Sequence, residues 1–225
     1  PYFTFDAVLN TRERPTLEKS LHDALQPVEL NEVLRLGDRG AQLLDVREPA
    51  EYAIGHVAGS INIGLGGQYA TWAGTMLDRE RPIVIIAEPG REQEAALRLG
   101  RIGFDHVRGY LNGGMAALAE RPDLVWPTER ISVLIAVEDL ESAQPPLVVD
   151  VRTPNEYATK HIEGSVNIPL NRLQERINEL PRDRRIILHC TGGYRSSVAA
   201  GVLHQHGLTH LAEIAGGLAA WEAAQ

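Results

Sequence analysis

Cys190 is the only cysteine in 225 residues, and it lies in the stretch His189-Cys190-Thr191-Gly192-Gly193-Tyr194-Arg195-Ser196-Ser197. The apolar run before it, Ile186-Ile187-Leu188, reads as a short buried strand, and the residues after it, Ser196 to His206, read as a helix. A thiol at a strand-to-helix turn faces the free backbone N–H groups and the positive end of the helix. Those groups favour a thiolate over a thiol, which makes Cys190 a nucleophile or the carrier of an anionic group. The competing reading is a buried structural cysteine, which packs as a small hydrophobe. Gly192-Gly193 and Arg195 favour the functional one. The segment Thr191 to Ser197 contains no acid, so an anion is not repelled by the loop itself.

Each neighbour of Cys190 has a role its chemistry suits. Arg195 carries a fixed fork of donors that can orient an anionic donor and brace the loop. Gly192 and Gly193 allow close backbone approach or a positive φ. Ser196 sits where a helix N-cap is expected. Tyr194 either gates the pocket or shields it. His189 precedes the cysteine on a strand, so its ring is expected to face away from the thiol. His204, His206 and His210 suggest a metal cluster, but residues two apart on a helix point differently and Gly207 interrupts the path to His210. A solvated helix end, without metal, is the expectation.

The elements that must hold this loop occur twice. Leu44-Asp45-Val46-Arg47-Glu48-Pro49-Ala50-Glu51-Tyr52 matches Val149-Asp150-Val151-Arg152-Thr153-Pro154-Asn155-Glu156-Tyr157 at a spacing of 105. His56-Val57-Ala58-Gly59-Ser60 matches His161-Ile162-Glu163-Gly164-Ser165 at the same spacing, and Gly113-Gly114 matches Gly216-Gly217 at 103. Solenoid repeats run roughly 20–50 residues, so so long a period means tandem domains. Short apolar runs at 42–46, 82–86, 147–151, 186–189 and 211–214 alternate with helical patterns at 30–36, 92–101, 173–180 and 196–206. Such alternation predicts α/β domains with a mainly parallel sheet and helices on both faces.

The expected organisation is a lead-in segment over 1–25, one domain over 26–127 and a second over 128–225, with the proline-containing stretch Glu120 to Pro127 at the boundary. Asp150 and Arg152 recur as Asp45 and Arg47 in a copy without a cysteine, which marks them as a scaffold ion pair. His161, matched by His56, is demoted on the same ground. With a spacing of 104 across the loop, Cys190 corresponds to Ile86 and Arg195 to Arg91 in the first copy, whose loop holds Glu88, Pro89, Glu92 and Glu94. That copy is expected to be noncatalytic.

A net charge of −8 argues against nucleic acid or an anionic membrane surface as partner. No apolar run approaches the ~18 residues of a membrane span. One cysteine cannot form an intrachain disulfide, which fits a reducing cytoplasm. A second copy of the chain is a compatible partner.

On Asp-Val-Arg followed by Pro-x-Glu-Tyr, His-Ile-x-Gly-Ser-x-Asn-Ile-Pro and the loop Cys190-x-x-Gly193-x-Arg195, the chain resembles the rhodanese sulfurtransferases, in two copies over about residues 26–225. The resemblance implies a five-stranded, doubly wound α/β fold for each copy. It implies that Cys190 takes a sulfane sulfur from a small-molecule donor such as thiosulfate or a persulfide. The sulfur is then carried as a persulfide and passed to a thiol, sulfite or cyanide, with no metal or organic cofactor. A phosphatase or arsenate reductase using the same thiolate is the other enzymatic reading, but phosphatases related to this fold use a longer loop between Cys and Arg than the four residues Thr191 to Tyr194, so sulfur is favoured over phosphate. A relay module that passes sulfur to one partner without turnover is the non-enzymatic alternative. Thiosulfate rhodaneses place a basic residue after the cysteine. Thr191 is neutral, which favours a thiol-bound persulfide as donor.

Pro1-Tyr2-Phe3 with Asn10 and Pro15, and Gln68-Tyr69-Ala70-Thr71-Trp72-Ala73-Gly74, are similar to the C-terminal half of persulfide dioxygenase–rhodanese fusions. That resemblance implies an upstream metallo-β-lactamase-type iron domain as partner. The iron domain's His-x-His-x-Asp-His pattern does not occur in this sequence, so any dioxygenase activity and its iron would lie outside this chain.

Overall fold

The computed structural model describes residues 24–224. Pro1 to Phe3, Asn10, Pro15 and all but the end of the expected lead-in segment therefore lie outside the described residues. The first copy runs through β1 (Pro27–Val28), α1 (Leu30–Asp38), β2 (Gln42–Asp45), α2 (Pro49–Ile54), β3 (His56–Val57), β4 (Ile61–Asn62), α3 (Tyr69–Met76), β5 (Ile83–Ile86), α4 (Glu92–Arg101) and β6 (Val107–Leu111). After β7 (Val125–Trp126), the second copy runs through β8 (Glu129–Ile131), α5 (Val133–Leu140), β9 (Leu147–Asp150), α6 (Pro154–Thr159), β10 (Val166–Asn167), β11 (Ile186–His189), α7 (Tyr194–Gln205), β12 (Leu211–Ile214) and α8 (Gly217–Ala223).

Two five-stranded sheets result, ordered β1-β6-β5-β2-β4 and β10-β9-β11-β12-β8. They are parallel, with helices around them, so the expected α/β architecture is the observed one. The central strands β5 (IVII) and β11 (IILH) are buried at every position. Strands covered on both faces lose the polar alternation of an open sheet and become continuous apolar runs, which is why they were legible. The proline-containing boundary stretch is not a free linker. Residues 122–124 form a 3₁₀ turn, and β7 pairs antiparallel with β3 through Val57 and Val125.

By compactness the described residues divide into 24–43 with 70–117, and 44–69 with 118–224. Within the second of these units, β9 sends the chain to β10 on one side and β11 lies on its other side. Ligands of open α/β sheets bind outside the carboxyl ends of strands at such a reversal. His189 and Asp150, the last residues of β11 and β9, are register partners there. Cys190 is the next residue of the chain.

Two expectations need correction. Residues 173–180 do not form an α-helix. They carry a turn over 173–176 and a 3₁₀ turn at Ile177–Glu179, after another 3₁₀ turn at Leu170–Arg172. Leu170, Leu173, Ile177 and Leu180 are buried, and this spacing of three and four serves a 3₁₀ turn as well as a helix. The second concerns α7, whose end is expected to be solvated. Every residue from Ser196 to His204 is buried. One reason is the segment 52–64 of the same compact unit, from which Asn62 Oδ1 accepts the Ser197 hydroxyl at 2.8 Å.

His204 is consequently not at a solvated end. It is buried and stacks on His56 at 5.6 Å between ring centroids, while Trp126 meets it edge-on at 6.1 Å. His56 in turn stacks on Tyr52 at 3.8 Å and shares a hydrogen bond with Tyr52 O through Nδ1. His206 and His210 are exposed, so the three do not gather. Burial lowers the pKa of His56 to about 4 and also lowers that of His204. In an unfolded chain His56 titrates near 6.5. As pH falls from about 6.5 to about 4, the unfolded imidazole takes a proton that the folded one refuses. Stability is expected to drop over that window by about 2–3 kcal/mol from His56 alone. Urea unfolding at neutral pH and at pH near 5 checks this, and His56→Gln is expected to flatten the dependence.

Candidate active site

The loop after β11 turns back on its own sulfur. Cys190 is 2% exposed, and Gly193 N–H donates to Cys190 Sγ at 3.1 Å. Gly193 is the N-cap of α7 with φ +111°, a conformation that L side chains rarely adopt. That conformation lets the chain reverse within four residues and present an N–H to the thiol. Gly217, with φ +58°, supports the loop from beneath. Leu218 N–H donates to Cys190 O at 2.8 Å and Ala219 N–H to Thr191 O at 3.1 Å. A Cβ on Gly217 would come within 2.4 Å of Cys190 O. The Gly216-Gly217 pair is therefore a turn that opens α8 and carries the Cys190 loop.

Arg195 is held by an acid from outside the loop. Its Nη1 donates to Glu156 Oε2 at 2.8 Å and its Nη2 to Glu156 Oε1 at 2.7 Å, a bidentate pair. Thr191 Oγ1 accepts a further bond from Arg195 Nη2 at 3.0 Å. The guanidinium holds the Glu156 carboxyl well below the usual carboxylate range. The acid-free loop of the sequence is thus not acid-free in space. Glu156 was missed, although Thr153-Pro154-Asn155-Glu156 is a capping-box signature, and it does form that box at the start of α6. The cap fixes the carboxylate through Thr153 N–H and Oγ1–H, and the same carboxylate then holds Arg195.

Asp150 and Arg152 form a buried pair through Nη2 and Oδ2 at 2.5 Å, and Arg152 also donates to Lys160 O at 2.6 Å. Asn167 Nδ2 donates to Asp150 O and Arg152 O, both at 2.9 Å. The same arrangement occurs at Asp45, Arg47 and Asn62. Neither residue has a contact with the thiol among the described hydrogen bonds. His189 is fully buried with Nε2 3.7 Å from Asp150 Oδ2, and burial lowers its pKa. Gly192 and Thr191 are exposed at the loop's tip. Tyr194 donates its hydroxyl to Gly64 O at 2.8 Å. His161 lies exposed against Tyr157.

Ser196 is not the helix cap. It lies inside the first turn of α7, donates to Gly193 O at 3.0 Å, and its Oγ is 3.8 Å from Cys190 Sγ. The helix starts at Tyr194, two residues earlier than the expected Ser196, because glycine can hold the left-handed cap without a side-chain oxygen.

The first-copy loop also shifts by one residue from its expected pairing. Gln42 N–H bonds Pro82 O as Leu147 N–H bonds Arg185 O. A Cβ on Gly114 would press on Ala87 O, as one on Gly217 would on Cys190 O. Ala87, not Ile86, therefore stands in the place of Cys190, and Glu92, not Arg91, in that of Arg195. Alanine offers no nucleophile, and an acid replaces the guanidinium.

The model of the rhodanese-like domain matches residues 29–121 and again 135–224. The chain belongs to the rhodanese-like domain family. The sulfurtransferase of Allochromatium vinosum is 36% identical over 75 residues, 33% of this chain and 70% of that protein. Thiosulfate sulfurtransferase PspE of Escherichia coli is 39% identical over 72 residues, 31% of this chain and 68% of that protein. An uncharacterized Bacillus subtilis protein, YqhL, is 40% identical over 74 residues, which is 33% of this chain and 59% of YqhL. In this rhodanese-like chain no described helix is long and apolar enough to cross a membrane. Among the described residues, no three His, Cys, Asp or Glu side chains gather to hold a metal ion.

Gly217→Ala is expected to cost about 2 kcal/mol, from the left-handed φ and the contact with Cys190 O. A urea melt measures the loss, and slower alkylation of Cys190 reports the displaced loop.

Proposed function

We propose that this chain is a sulfurtransferase that moves a sulfane sulfur through a persulfide on Cys190. The observation that carries the reading is the Gly193 N–H aimed at Cys190 Sγ at 3.1 Å, in a family whose relatives here include sulfurtransferases. The Cys190 sulfur attacks the outer sulfur of the donor, forming an S–S bond while the donor's own S–S bond breaks. Sulfite leaves with the electron pair if the donor is thiosulfate, and a thiolate leaves if it is a persulfide. An acceptor thiol, sulfite or cyanide then attacks the terminal sulfur, and Cys190 departs as the thiolate. Donors preorganised at the sulfur stabilise the charge in both steps. No metal or organic cofactor enters either step.

The donor we favour is a low-molecular-weight persulfide such as glutathione persulfide. Glu156 already fills the fork of Arg195, so a doubly charged thiosulfate must compete with a bound carboxylate for it. The first copy has Ala87 where the nucleophile stands and serves as scaffold. A reducing cytoplasm suits a chain with one free cysteine. From the resemblance of residues 1–3, Asn10, Pro15 and 68–74 we infer a place in persulfide metabolism beside an iron-dependent dioxygenase domain.

Incubating the chain with thiosulfate or glutathione persulfide and a thiol acceptor tests the reaction. Turnover is expected with the native chain and none with Cys190→Ser, and equal turnover by both would sink the mechanism. Intact mass is expected to show one added sulfur on the native chain before acceptor is supplied. Glu156→Gln keeps a capping-box residue but removes the charge facing Arg195. It is expected to raise kcat/KM for thiosulfate relative to glutathione persulfide by about fivefold.

A further inference from the structure

Strand β12, Leu211-Ala212-Glu213-Ile214, carries an acid at a position buried like its neighbours. Ala212 and Ile214 pack into one core cluster with Ile131, Val148 and Ile187. Alternation along the strand directs Glu213 to the opposite face, where the Ser196 hydroxyl of α7 is its hydrogen-bonding neighbour. Glu213 is 1% exposed, and its Oε1 has no hydrogen-bond partner among the described residues. A buried carboxylate with an unmatched oxygen is costly, and scaffold needs do not explain it. The same Ser196 Oγ lies 3.8 Å from Cys190 Sγ. One hydroxyl therefore separates a dry acid from the nucleophile.

The charged surroundings are few. Arg130, the register partner of Glu213 on β8, is the cation that acts on it. From α2, Tyr52 is the other titratable group that feels its charge. On β11 the register partner is Leu188, while His189 is turned to Asp150. At the start of α8 stand Gly217 and Leu218, which carry no charge. Burial pushes the Glu213 carboxyl up to about 7 against the weaker pull of Ser196 and Arg130. The acid thus changes state near neutrality, where a proton acceptor for a thiol is useful.

We propose that Glu213, acting through the Ser196 hydroxyl, takes up the proton that Cys190 releases before it attacks the sulfur donor. Ser196 now donates to Gly193 O, and rotation about its Cβ–Oγ bond redirects that proton to Glu213. The Cys190 S–H bond breaks and its proton binds Ser196 Oγ as the Ser196 proton moves to the Glu213 carboxylate. Sulfur keeps the electron pair. Negative charge leaves a buried carboxylate with one unmatched oxygen for a sulfur that receives the Gly193 N–H. When the acceptor has removed the transferred sulfur, the proton returns along the same path. Glu213 is a positioning residue for the proton, and its part in turnover rests on the sulfurtransferase reading.

The test reads Cys190 without any sulfur donor. Iodoacetamide alkylation of the full chain is followed by intact mass over about pH 5 to 9. The native rate is expected to show an inflection near 7. Glu213→Gln, similar in shape and able to hydrogen-bond Ser196, is expected to lose it and to react about tenfold more slowly at neutral pH. Ser196→Ala, with Glu213 in place, is expected to lose the same inflection. Urea melts of both variants confirm that each is folded in the range compared. A Glu213→Gln profile that superposes on the native one overturns the relay, as does an inflection retained in Ser196→Ala. Loss of the inflection in both variants, in a chain that transfers no sulfur, would refute the sulfurtransferase reading and leave the relay standing.

Discussion

A sulfur that is to carry negative charge beyond the end of a buried strand has little water to hold it. Backbone N–H groups must take water's place, and this constrains everything around Cys190. The chain has to reverse within the loop, which requires the left-handed Gly193. The loop carbonyls then need donors of their own, and the start of α8 provides them through Leu218 and Ala219. Gly217 has no Cβ because that donor pair comes so close to Cys190 O. Loop, helix start and the following turn form one connected set of hydrogen bonds.

The two copies show what this set costs when it is not used. In both, the buried aspartate–arginine pair and the asparagine that ties it to the next strand are kept. Removing one partner of such a pair leaves a buried charge, at about 3–5 kcal/mol. The loop is under no such penalty, and Ala87, Glu88 and Pro89 occupy it in the first copy. Fold and chemistry are therefore separable in this chain: one copy retains the frame, the other the frame and the thiol.

Around the thiol, acids are placed by two different kinds of contact. Glu156 is exposed enough to stay charged, and a bidentate arginine keeps it so. Glu213 is dry and only weakly compensated, so it is poised to hold a proton. The first sets the electrostatics at the mouth of the loop. The second bears on Ser196 in the first turn of α7.

Much of this was legible in the residues alone. The repeat, the parallel α/β class and the central strands follow from apolar runs and their spacing, because strands buried on both faces leave no other pattern. Cys190 and Arg195 stood out because a lone thiol, two glycines and a guanidinium are rare together. The cap at Gly193 rather than Ser196, the pairing of Cys190 with Ala87 rather than Ile86, and the buried His204 were not legible. Each depends on backbone register or on a distant segment covering α7, which periodicity does not report. Sequence by itself singled out Cys190 and the repeated frame that carries it. Tertiary structure decided which acids lie near it, because Glu156 pairs with Arg195 from α6 and Glu213 meets Ser196 from β12, and only folding brings those elements together.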